Sequence, residues 1–292
     1  MTSGSSDDDA FRRALCRVAP KIARPLPWIG HGDPWAILVS EVMLQQTQTI
    51  RVIEPWERFI TRFATPRACA DAPLSSVVRL WSGLGYHRRA RYLHDAARMI
   101  RDQYDGVVPH DVVALRRLPG VGEYTACAVA SFAFGVPVAV IDTNVGRVLA
   151  RALRNRPLRP AEARLVAQGL LPSRGVTQFN QAMLDLGAQF CRARPDCEVC
   201  PVSAVCRWRR EGGEDPAPSS AGVSRAQTKF AGSDRQLRGR VLAELRDAPC
   251  SRSQLGARLS EMMTSRVEMA LLALERDGLV ERRGRFIRLA GD

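Results

Sequence analysis

The stretch LRRLPGVGEYTACAVASFAFGVPVAVIDTNVGRVLARAL, residues 115–153, decides the fold of this chain. A proline and two glycines interrupt its first helical pattern, and apolar residues at helical spacing resume over residues 123–134, which predicts two helices joined by a tight hairpin. The first amide groups of a helix lack intrahelical partners, and the positive end of its dipole attracts anions. The hairpin residues Gly120, Val121 and Gly122 are therefore predicted to bind an anion such as a phosphate.

Two carboxylates are candidate catalytic groups. Asp142 follows the apolar run 136–141 and is predicted to cap a helix at its N-terminus, where amide groups and the helix dipole favour an ionised carboxylate. Glu41 lies on the apolar face of a predicted helix over residues 35–47, and burial there favours the protonated form, which suits a general acid. A protonated and an ionised carboxyl group together suit cleavage of a glycosidic bond. Taken singly, each also has a structural explanation, as an N-cap or as a glutamate at the edge of the core.

The composition predicts a polyanionic partner. The 292 residues carry a formal net charge of +13, and all of the 43 basic residues except Lys21 and Lys229 are arginines, which suit planar contacts to phosphate. A biased genomic composition also explains at least half of this preference for arginine over lysine. Because no apolar run is long enough to span a membrane and the N-terminus is polar and acidic, we expect a soluble, intracellular protein.

Helical periodicity and short connections with Gly or Pro predict an all-α protein. After a disordered tail over residues 1–6, helices are expected over residues 10–18, 35–47, 50–63, 74–82, 88–104, 112–118, 123–134, 145–153, 161–171 and 179–190. Pro20 is expected to end the first helix, and Asp33 with Pro34 to begin the second. Residues 211–227 are rich in Gly, Pro, Ala and Ser and are predicted to form a linker.

Residues 228–292 are predicted to form a separate small module. Helices are expected over residues 235–246, 253–259 and 265–277, followed by two short strands that turn near Gly284. Three helices and a basic hairpin resemble a winged helix. A small packing or partner-binding module explains the same pattern equally well.

Four of the eight cysteines are crowded into one segment. Cys191, Cys197, Cys200 and Cys206 follow the spacing C-x5-C-x2-C-x5-C, and such density in an intracellular chain indicates metal ligation rather than disulfides. Four thiolates bind either zinc or an iron–sulfur cluster, and the residues alone do not separate the two. The other cysteines lie singly in apolar or mixed stretches and are expected to be packing residues.

Several ordered motifs resemble those of one protein family. LPGVGEYTA followed by VIDTNVGRVLAR is similar to the helix-hairpin-helix signature, with its downstream aspartate, of the endonuclease III superfamily of DNA glycosylases. SEVMLQQTQT, GLGYHRRARYL, FNQAMLDLGAQFC and the cysteine segment resemble the MutY-type adenine glycosylases within that superfamily. The resemblance covers about residues 25–209. It implies a two-lobed, all-α fold that binds double-stranded DNA, with a six-helix barrel over residues 33–134 and an iron–sulfur lobe from residues 1–32 plus 135–210.

The resemblance implies a role for each matching residue. Glu41 matches the residue that protonates adenine at N7, and Asp142 matches the aspartate that stabilises an oxocarbenium-like sugar or traps it covalently. Extruding a base from a duplex costs roughly a few kcal/mol and leaves a gap that a wedge residue fills. The remaining matches are Asn144 and Tyr124 beside the catalytic groups, Gln46 and Tyr86 as wedges next to the opposite base, Gly120 and Gly122 flanking the phosphate-binding turn, and Cys191, Cys197, Cys200 and Cys206 as ligands of a 4Fe-4S cluster.

Tyr124 distinguishes two chemistries within this superfamily. Bifunctional glycosylase-lyases have lysine at this position, which forms a Schiff base with the sugar. The two lysines of this chain, Lys21 and Lys229, lie outside the core motifs. We therefore expect a monofunctional glycosylase that leaves the abasic site intact and, because it encloses one duplex, acts as a monomer.

Two departures from the family bear on the substrate. The family commonly has PWR before the catalytic helix, with the arginine helping to hold adenine, whereas this chain has Ile29 there. Base recognition is therefore expected to depend on Trp28 and Glu41 with Gln181 or Asp185, or another base is accepted. The family's C-terminal domain that reads 8-oxoguanine is too large for residues 228–292, so we expect weaker discrimination between 8-oxoguanine and guanine opposite the target base.

Three functions stay open at this point. The first is removal of adenine mispaired with 8-oxoguanine or guanine, which Gln45 and Gln46 together with Glu41 favour. The second is a thymine or uracil mismatch glycosylase, because some such relatives also have tyrosine in the hairpin. The third is a non-catalytic iron–sulfur protein that binds DNA, and the presence of both Glu41 and Asp142 counts against it.

Overall fold

The computed structural model describes residues 3–220, 230–260 and 263–292. It confirms a mainly helical protein with a small sheet. Contacts divide the chain into two units: unit 1 comprises Met1–Gly30 and Glu123–Ala226, and unit 2 comprises His31–Gly122 and Gln227–Asp292. Within the described ranges no helix is both long and apolar enough to cross a membrane.

The helices follow one another through short connections. In chain order they are α1 (Ser3–Ile22), α2 (Pro34–Leu44), α3 (Ile53–Arg62), α4 (Pro66–Asp71), α5 (Leu74–Leu80), α6 (Arg88–Gln103), α7 (Val112–Leu115), α8 (Glu123–Phe134), α9 (Thr143–Val148), α10 (Pro160–Leu170), α11 (Val176–Gln189), α12 (Arg207–Glu211), α13 (Asp234–Glu244), α14 (Arg252–Arg258) and α15 (Thr264–Arg276). A π-helical segment, Leu149–Arg154, continues α9. The sequence pattern predicts neither α4 nor α12, because six and five residues are too few to show helical periodicity.

Unit 1 is organised around one apolar core. Phe11 and Leu15 of α1 are fully buried in it, together with Val148 of α9. Ala128 of α8 belongs to the same core. The second segment of unit 1 therefore begins at Glu123, whereas the boundary predicted from the sequence lies at residue 135.

Buried tryptophans fix the barrel helices of unit 2. Trp35 Nε1 donates to the carbonyl of Phe63 at 2.8 Å, and Trp56 Nε1 donates to a carbonyl of α2 at 2.9 Å. Asp33 caps α2 as predicted, because its side chain accepts from the amide of Trp35 at 3.0 Å. These bonds fix the orientation of α2, which carries Glu41.

The C-terminal module, residues 228–292, has the predicted helices and strands and one further strand. β2 (Val280–Arg283) and β3 (Phe286–Leu289) pair antiparallel and turn at Gly284, whose φ of +61° favours glycine. β1 (Cys250–Ser251) pairs with the other edge of β3, which gives the strand order β1-β3-β2. Three helices and a three-stranded sheet agree with a winged-helix-like module.

Two predictions near the N-terminus are wrong. Residues 1–6 are predicted to be a disordered tail, but α1 begins at Ser3, and residues 1 and 2 of this prediction lie outside the described residues. Pro20 is predicted to end this helix, but it lies inside the last turn. The carbonyl that loses its helical donor at Pro20 belongs to Cys16, which is exposed, so water can satisfy it and the helix continues.

The predicted linker, residues 211–227, is partly packed onto unit 1. Asp215 accepts from Arg151 at 2.6 and 2.8 Å, and the buried hydroxyl of Ser220 accepts from the amide of Leu158 at 3.0 Å. Residues 221–227 of this prediction lie outside the described residues. The segment packs despite its composition because an acidic and a hydroxyl side chain find partners in unit 1.

We expect Gly187→Ala to destabilise the protein. A Cβ at Gly187 of α11 would lie 2.6 Å from the carbonyl oxygen of Asn144, which is backbone and cannot move aside cheaply. Overpacking of this kind costs about 1–3 kcal/mol of unfolding free energy, measurable by chemical denaturation. The matched control is Gly169→Ala in α10, where nothing lies within 4 Å, and which should stabilise the helix by roughly 0.5–1 kcal/mol. Equal stability of the two variants would contradict close packing of α11 on Asn144.

Candidate functional site

Asp142 caps α9 as the sequence predicts. Its Oδ1 accepts from the amide of Val145 at 2.8 Å, and its Oδ2 accepts from Nδ2 of Asn144 at 2.6 Å. Burial raises the pKa of the Asp142 carboxyl, although these hydrogen bonds and the charge of Arg147 oppose the rise. The expectation that the helix end would dominate and favour the ionised form is therefore wrong in direction, because desolvation outweighs the cap.

A chain of hydrogen bonds connects Asp142 to the cysteine segment. Arg147 donates from Nη2 to Oδ1 of Asn144 at 2.6 Å and to the carbonyl of Gly187 at 3.0 Å, and from Nε to the carbonyl of Cys191 at 2.7 Å. Asn144 in turn donates to Asp142. One buried guanidinium thus fixes the Asn144 side chain that orients the carboxylate.

Arg151 bonds to the beginning of the cysteine segment, residues 191–193. It is 1% exposed and donates to the sulfur of Cys191 at 3.4 Å and to the carbonyls of Arg192 and Ala193 at 2.7 and 3.2 Å. Neither Arg147 nor Arg151 is among the site residues predicted from the sequence. A usable signal is present, because two arginines four residues apart interrupt the otherwise apolar run VGRVLARAL.

The four clustered cysteines line one small cavity in unit 1. Cys191, Cys197, Cys200 and Cys206 surround a space of about 30 Å³ together with apolar side chains such as Phe190. Burial raises the pKa of the Cys200 thiol to about 11. Among the described residues, no three Cys, His, Asp or Glu side chains are grouped as ligands of a single metal ion. Four sulfur donors line this cavity, beside the side chains of Asp196 and Ser203, and thiolate donors suit soft metal centres.

The predicted base-binding residues have partners within unit 1. Asp185 is 1% exposed, and its oxygens accept from Nε and the amide of Arg24 at 2.6 and 3.4 Å and from Nε2 of Gln181 at 3.0 Å. Trp28 is buried four residues after Arg24, and Tyr124 packs against the unit 1 core. In this structure Asp185 anchors the segment that leads to Trp28, and base contact by these residues stays a prediction.

Glu41 of unit 2 is buried, as the apolar helical face predicts. It is 4% exposed, and α2 is buried along most of its length, from Trp35 to Met43. A glutamate is rarely buried in an apolar helix without a functional or structural reason. Its position therefore agrees with a general acid, and that role stays a prediction.

Gln46 and Tyr86 share an uncommon backbone conformation. Their φ angles are +57° and +48°, which is the left-handed region that non-glycine residues seldom adopt. Such conformations store strain and cluster at functional sites. Gln46, Tyr86 and Gly120 of the hairpin all line one cavity of unit 2.

Arg89, which is not among the residues predicted from the sequence, holds the two loops of Gln46 and Tyr86 together. Burial lowers the pKa of Arg89 to about 10. Its guanidinium donates to the carbonyls of Val42, Met43 and Gln45 at 3.0, 2.7 and 2.6 Å, to those of Leu84, Gly85 and Tyr86 at 3.3, 3.0 and 3.3 Å, and to Oγ1 of Thr47 at 3.0 Å. The Arg89 guanidinium therefore supplies hydrogen bonds to carbonyl groups that have no helix or strand partner in these two loops.

The predicted hairpin is a tight turn that requires glycine. Gly120 has a φ of +76°, and a Cβ there would lie 2.7 Å from Cβ of Tyr92. The carbonyl of Gly120 accepts from Nε2 of Gln45 at 3.1 Å, and Val121 is buried while Gly122 is exposed. The turn is confirmed, and phosphate binding by it stays a prediction.

The chain is similar to known DNA repair proteins. Residues 39–172 match a family described as HhH-GPD superfamily base excision DNA repair protein. The chain is 46% identical over 278 residues to the adenine DNA glycosylase of Mycolicibacterium smegmatis, a match that covers 92% of each protein. Among solved structures it resembles a thermostable thymine-DNA glycosylase (TM-score 0.65, 28% identity, 71% of this chain and 98% of that one) and endonuclease III in a trapped covalent intermediate with DNA (TM-score 0.62, 27% identity, 72% and 99%).

We expect Arg89→Met to lower the free energy of unfolding by about 3–5 kcal/mol, because carbonyl groups of both loops lose a buried donor that they share. Chemical denaturation monitored by circular dichroism measures the change. The control is Arg98→Met, which removes an exposed arginine from the same helix and should change stability little. Wild-type stability of Arg89→Met would show that the two loops do not depend on this side chain.

Proposed function

Since the chain belongs to the HhH-GPD superfamily of base excision DNA repair proteins, we propose that it removes adenine mispaired with 8-oxoguanine or guanine from double-stranded DNA. Its relative in Mycolicibacterium smegmatis is named adenine DNA glycosylase and matches along nearly the whole chain. The observation that carries the chemistry is the half-buried carboxylate of Asp142, which Asn144 and a helix N-terminus hold in place. The net charge of +13 supports a polyanionic substrate.

In the proposed reaction, one carboxyl group donates a proton and a second carboxylate stabilises positive charge. Glu41 protonates adenine at N7, which improves the base as a leaving group, and its buried position favours the protonated form. Asp142 stabilises the positive charge that develops on the sugar, while Asn144 keeps its carboxylate oriented. The hydrogen bonds from Val145 and Asn144 favour the ionised carboxylate against the cost of its burial.

Other residues of the proposed site bind the duplex. Gln46 and Tyr86 fill the gap beside the opposite base, and their strained backbone is held ready by Arg89. Gly120, Val121 and Gly122 contact a phosphate at the hairpin, and Trp28 with Gln181 or Asp185 contacts the extruded base. We propose that the protein acts as a monomer at the bacterial nucleoid, because enclosing one duplex needs one chain.

A second candidate is a thymine or uracil mismatch glycosylase. The structural similarity to a thermostable thymine-DNA glycosylase supports this candidate. The sequence identity to that protein is 28%, compared with 46% to the adenine DNA glycosylase, so the support is weaker than for adenine. Ile29, where the family commonly has arginine, leaves adenine recognition with one contact fewer. Both candidates are monofunctional, because Tyr124 stands where glycosylase-lyases have lysine.

A panel of mismatched duplexes, incubated with protein and then cleaved with alkali, tests the proposed activity. We expect strand breaks at adenine opposite 8-oxoguanine or guanine, and none at thymine or uracil opposite guanine. Glu41→Gln and Asp142→Asn should each lower the single-turnover rate by roughly 10²–10⁴-fold, because one removes the acid and the other the counter-charge.

Matched controls are available for both carboxylates. Glu57→Gln changes an exposed glutamate, and Asp111→Asn changes an exposed helix cap that bonds the amide of Ala114 at 2.8 Å, so both should keep the wild-type rate. Cleavage at thymine or uracil alone would establish the second candidate. High-yield borohydride trapping of a protein–DNA adduct would refute monofunctional chemistry.

We also propose that Cys191, Cys197, Cys200 and Cys206 hold a 4Fe-4S cluster. The four thiols line one cavity with apolar walls, and a cluster held by four thiolates is the metal centre that the family resemblance implies. When bound, the cluster would cross-link the segment after α11 to the segment before α12. Arg147 and Arg151 keep the backbone of this segment in place.

The purified protein is expected to be brown, with broad visible absorbance and about four iron atoms per chain. Cys200→Ser should lose colour and iron, whereas Cys16→Ser, which changes an exposed cysteine outside the cavity, should keep both. Elemental analysis and absorbance spectra measure the outcome. One zinc per chain and no visible absorbance would replace this assignment with a zinc site.

A further inference from the structure

The outer face of α1 carries a row of basic side chains. Arg13, Arg17 and Lys21 follow one another at intervals of four residues, so they lie in one line along the helix, and all three are exposed. Phe11 and Leu15, on another face of the same helix, are fully buried in the core of unit 1. Arg13, Arg17 and Lys21 form the basic row. It is about 12 Å long, because an α-helix rises about 1.5 Å per residue.

The protein does not neutralise the charges of the basic row. The carboxylates of the same helix already have other partners: Asp7 pairs with Arg210 at 3.1 Å, Asp8 with Arg154 at 2.6 Å, and Asp9 with Arg12 at 2.6 Å. In the part of the chain that the structure describes, no carboxylate forms an ion pair with a member of the basic row. Like charges four residues apart on a helix repel each other. A bound polyanion would relieve that repulsion.

The basic row leads toward the proposed base-binding residues. α1 ends at Ile22, whose carbonyl accepts from Nε2 of Gln189 at 2.6 Å. Nε of Arg24 then donates to the buried carboxylate of Asp185 at 2.6 Å, and the buried Trp28 follows. The chain that continues from the row is therefore fixed to one face of α11, on which residues 185 and 189 lie one turn apart.

The same helix α11 connects this end of α1 to Asp142. A Cβ at Gly187 would lie 2.6 Å from the carbonyl oxygen of Asn144, so the two backbones are in close contact, and Asn144 donates to Asp142 at 2.6 Å. Packed elements of unit 1 therefore carry the basic row, Trp28 and the candidate catalytic carboxylate together. A DNA strand whose sugar lies at Asp142 and whose extruded base lies at Trp28 continues past these residues with its neighbouring phosphates.

We propose that the basic row binds phosphates of the duplex that flanks the target nucleotide. Phosphates follow one another about every 3.4 Å of helix axis along one strand, so a row of about 12 Å spans roughly three or four of them. Three exposed cations in line match that run of charge. Contacts of this kind position a duplex without reading its sequence. The inference rests on the proposed function, because it adds a second contact surface for the same DNA substrate.

The salt dependence of binding tests the proposal. Full-length wild type and the triple variant Arg13→Gln, Arg17→Gln, Lys21→Gln are titrated into a fluorescent duplex of unmodified bases, and anisotropy gives Kd at several salt concentrations. The slope of log Kd against log salt should fall by about 0.9 for each lost phosphate contact, or roughly 2.7 for the triple variant, and Kd at about 0.1 M salt should rise on the order of 100-fold. Glutamine has nearly the helix propensity of arginine and lysine, so α1 should stay folded.

Arg12→Gln is the matched control for Arg17→Gln. It removes the same charge from the same helix, but the Arg12 guanidinium is already paired with Asp9. Both variants weaken the long-range attraction for DNA equally, whereas only Arg17→Gln should lower the salt slope. Arg17→Lys keeps the positive charge and should keep the wild-type slope. Equal slopes for Arg12→Gln and Arg17→Gln would show that the row acts through net charge alone, which would overturn the proposal.

Duplexes trimmed on one side of the target nucleotide locate the contact. Wild type should lose affinity when the flank that contacts the row is removed, and the triple variant should be insensitive to that cut, because it has already lost these contacts. Removal of the other flank should weaken both proteins equally. If wild type and the triple variant respond equally to both cuts, the row does not bind flanking DNA.

The inference and the proposed function fail separately. At saturating protein the triple variant should excise adenine at the wild-type single-turnover rate, because the row touches no reacting atom. If wild type excises adenine but the triple variant has the wild-type salt slope, only the inference fails. If wild type excises no adenine from any duplex, the proposed function fails, and the slopes measured on the unmodified duplex still decide whether the row binds DNA.

Discussion

Buried guanidinium groups hold the irregular segments that carry the candidate site residues. Arg89 bonds the loops of Gln46 and Tyr86, and Arg147 connects Asn144 to the carbonyl of Cys191. Loops of this kind lack ladder or helical partners, so their buried carbonyl groups need donors that water cannot supply. A guanidinium provides five N–H donors in one plane, whereas an ammonium provides three from one point. One arginine can therefore bond several carbonyl groups of such a loop at once.

The arginines of this chain have two physical roles: they give the protein its positive charge, and some of them form buried hydrogen bonds. Lys21 and Lys229 are the only lysines, and the net charge of +13 suits a polyanion. Yet Arg89 and Arg151 are buried and bond to the protein's own backbone. Their charge is withdrawn from solvent, and what they contribute is hydrogen-bond geometry. Net charge thus describes the long-range attraction of the protein for DNA, but not which arginines touch it.

Desolvation and hydrogen bonding compete at Asp142. Its cap bonds favour the carboxylate, while burial raises the pKa by removing water from the charge. A carboxylate that is partly shielded from water interacts more strongly with a developing positive charge, because the local dielectric constant is low. Arg147 in turn fixes Asn144, so the amide bond that opposes the rise in the Asp142 pKa keeps its geometry, although burial still outweighs it.

The sequence by itself determined the helical class, the cap at Asp142, the glycine turn at Gly120 and the crowding of four cysteines, because each follows from local backbone preference or from spacing. It did not determine the partners of buried polar groups. Arg89, Arg147 and Arg151 bond to carbonyls far away in the chain, and no local pattern encodes those pairings. The contact of Arg235 with Tyr86 joins residues 149 positions apart. Only the tertiary structure decided these interactions, because burial and hydrogen-bond geometry depend on packing between segments that are distant in sequence.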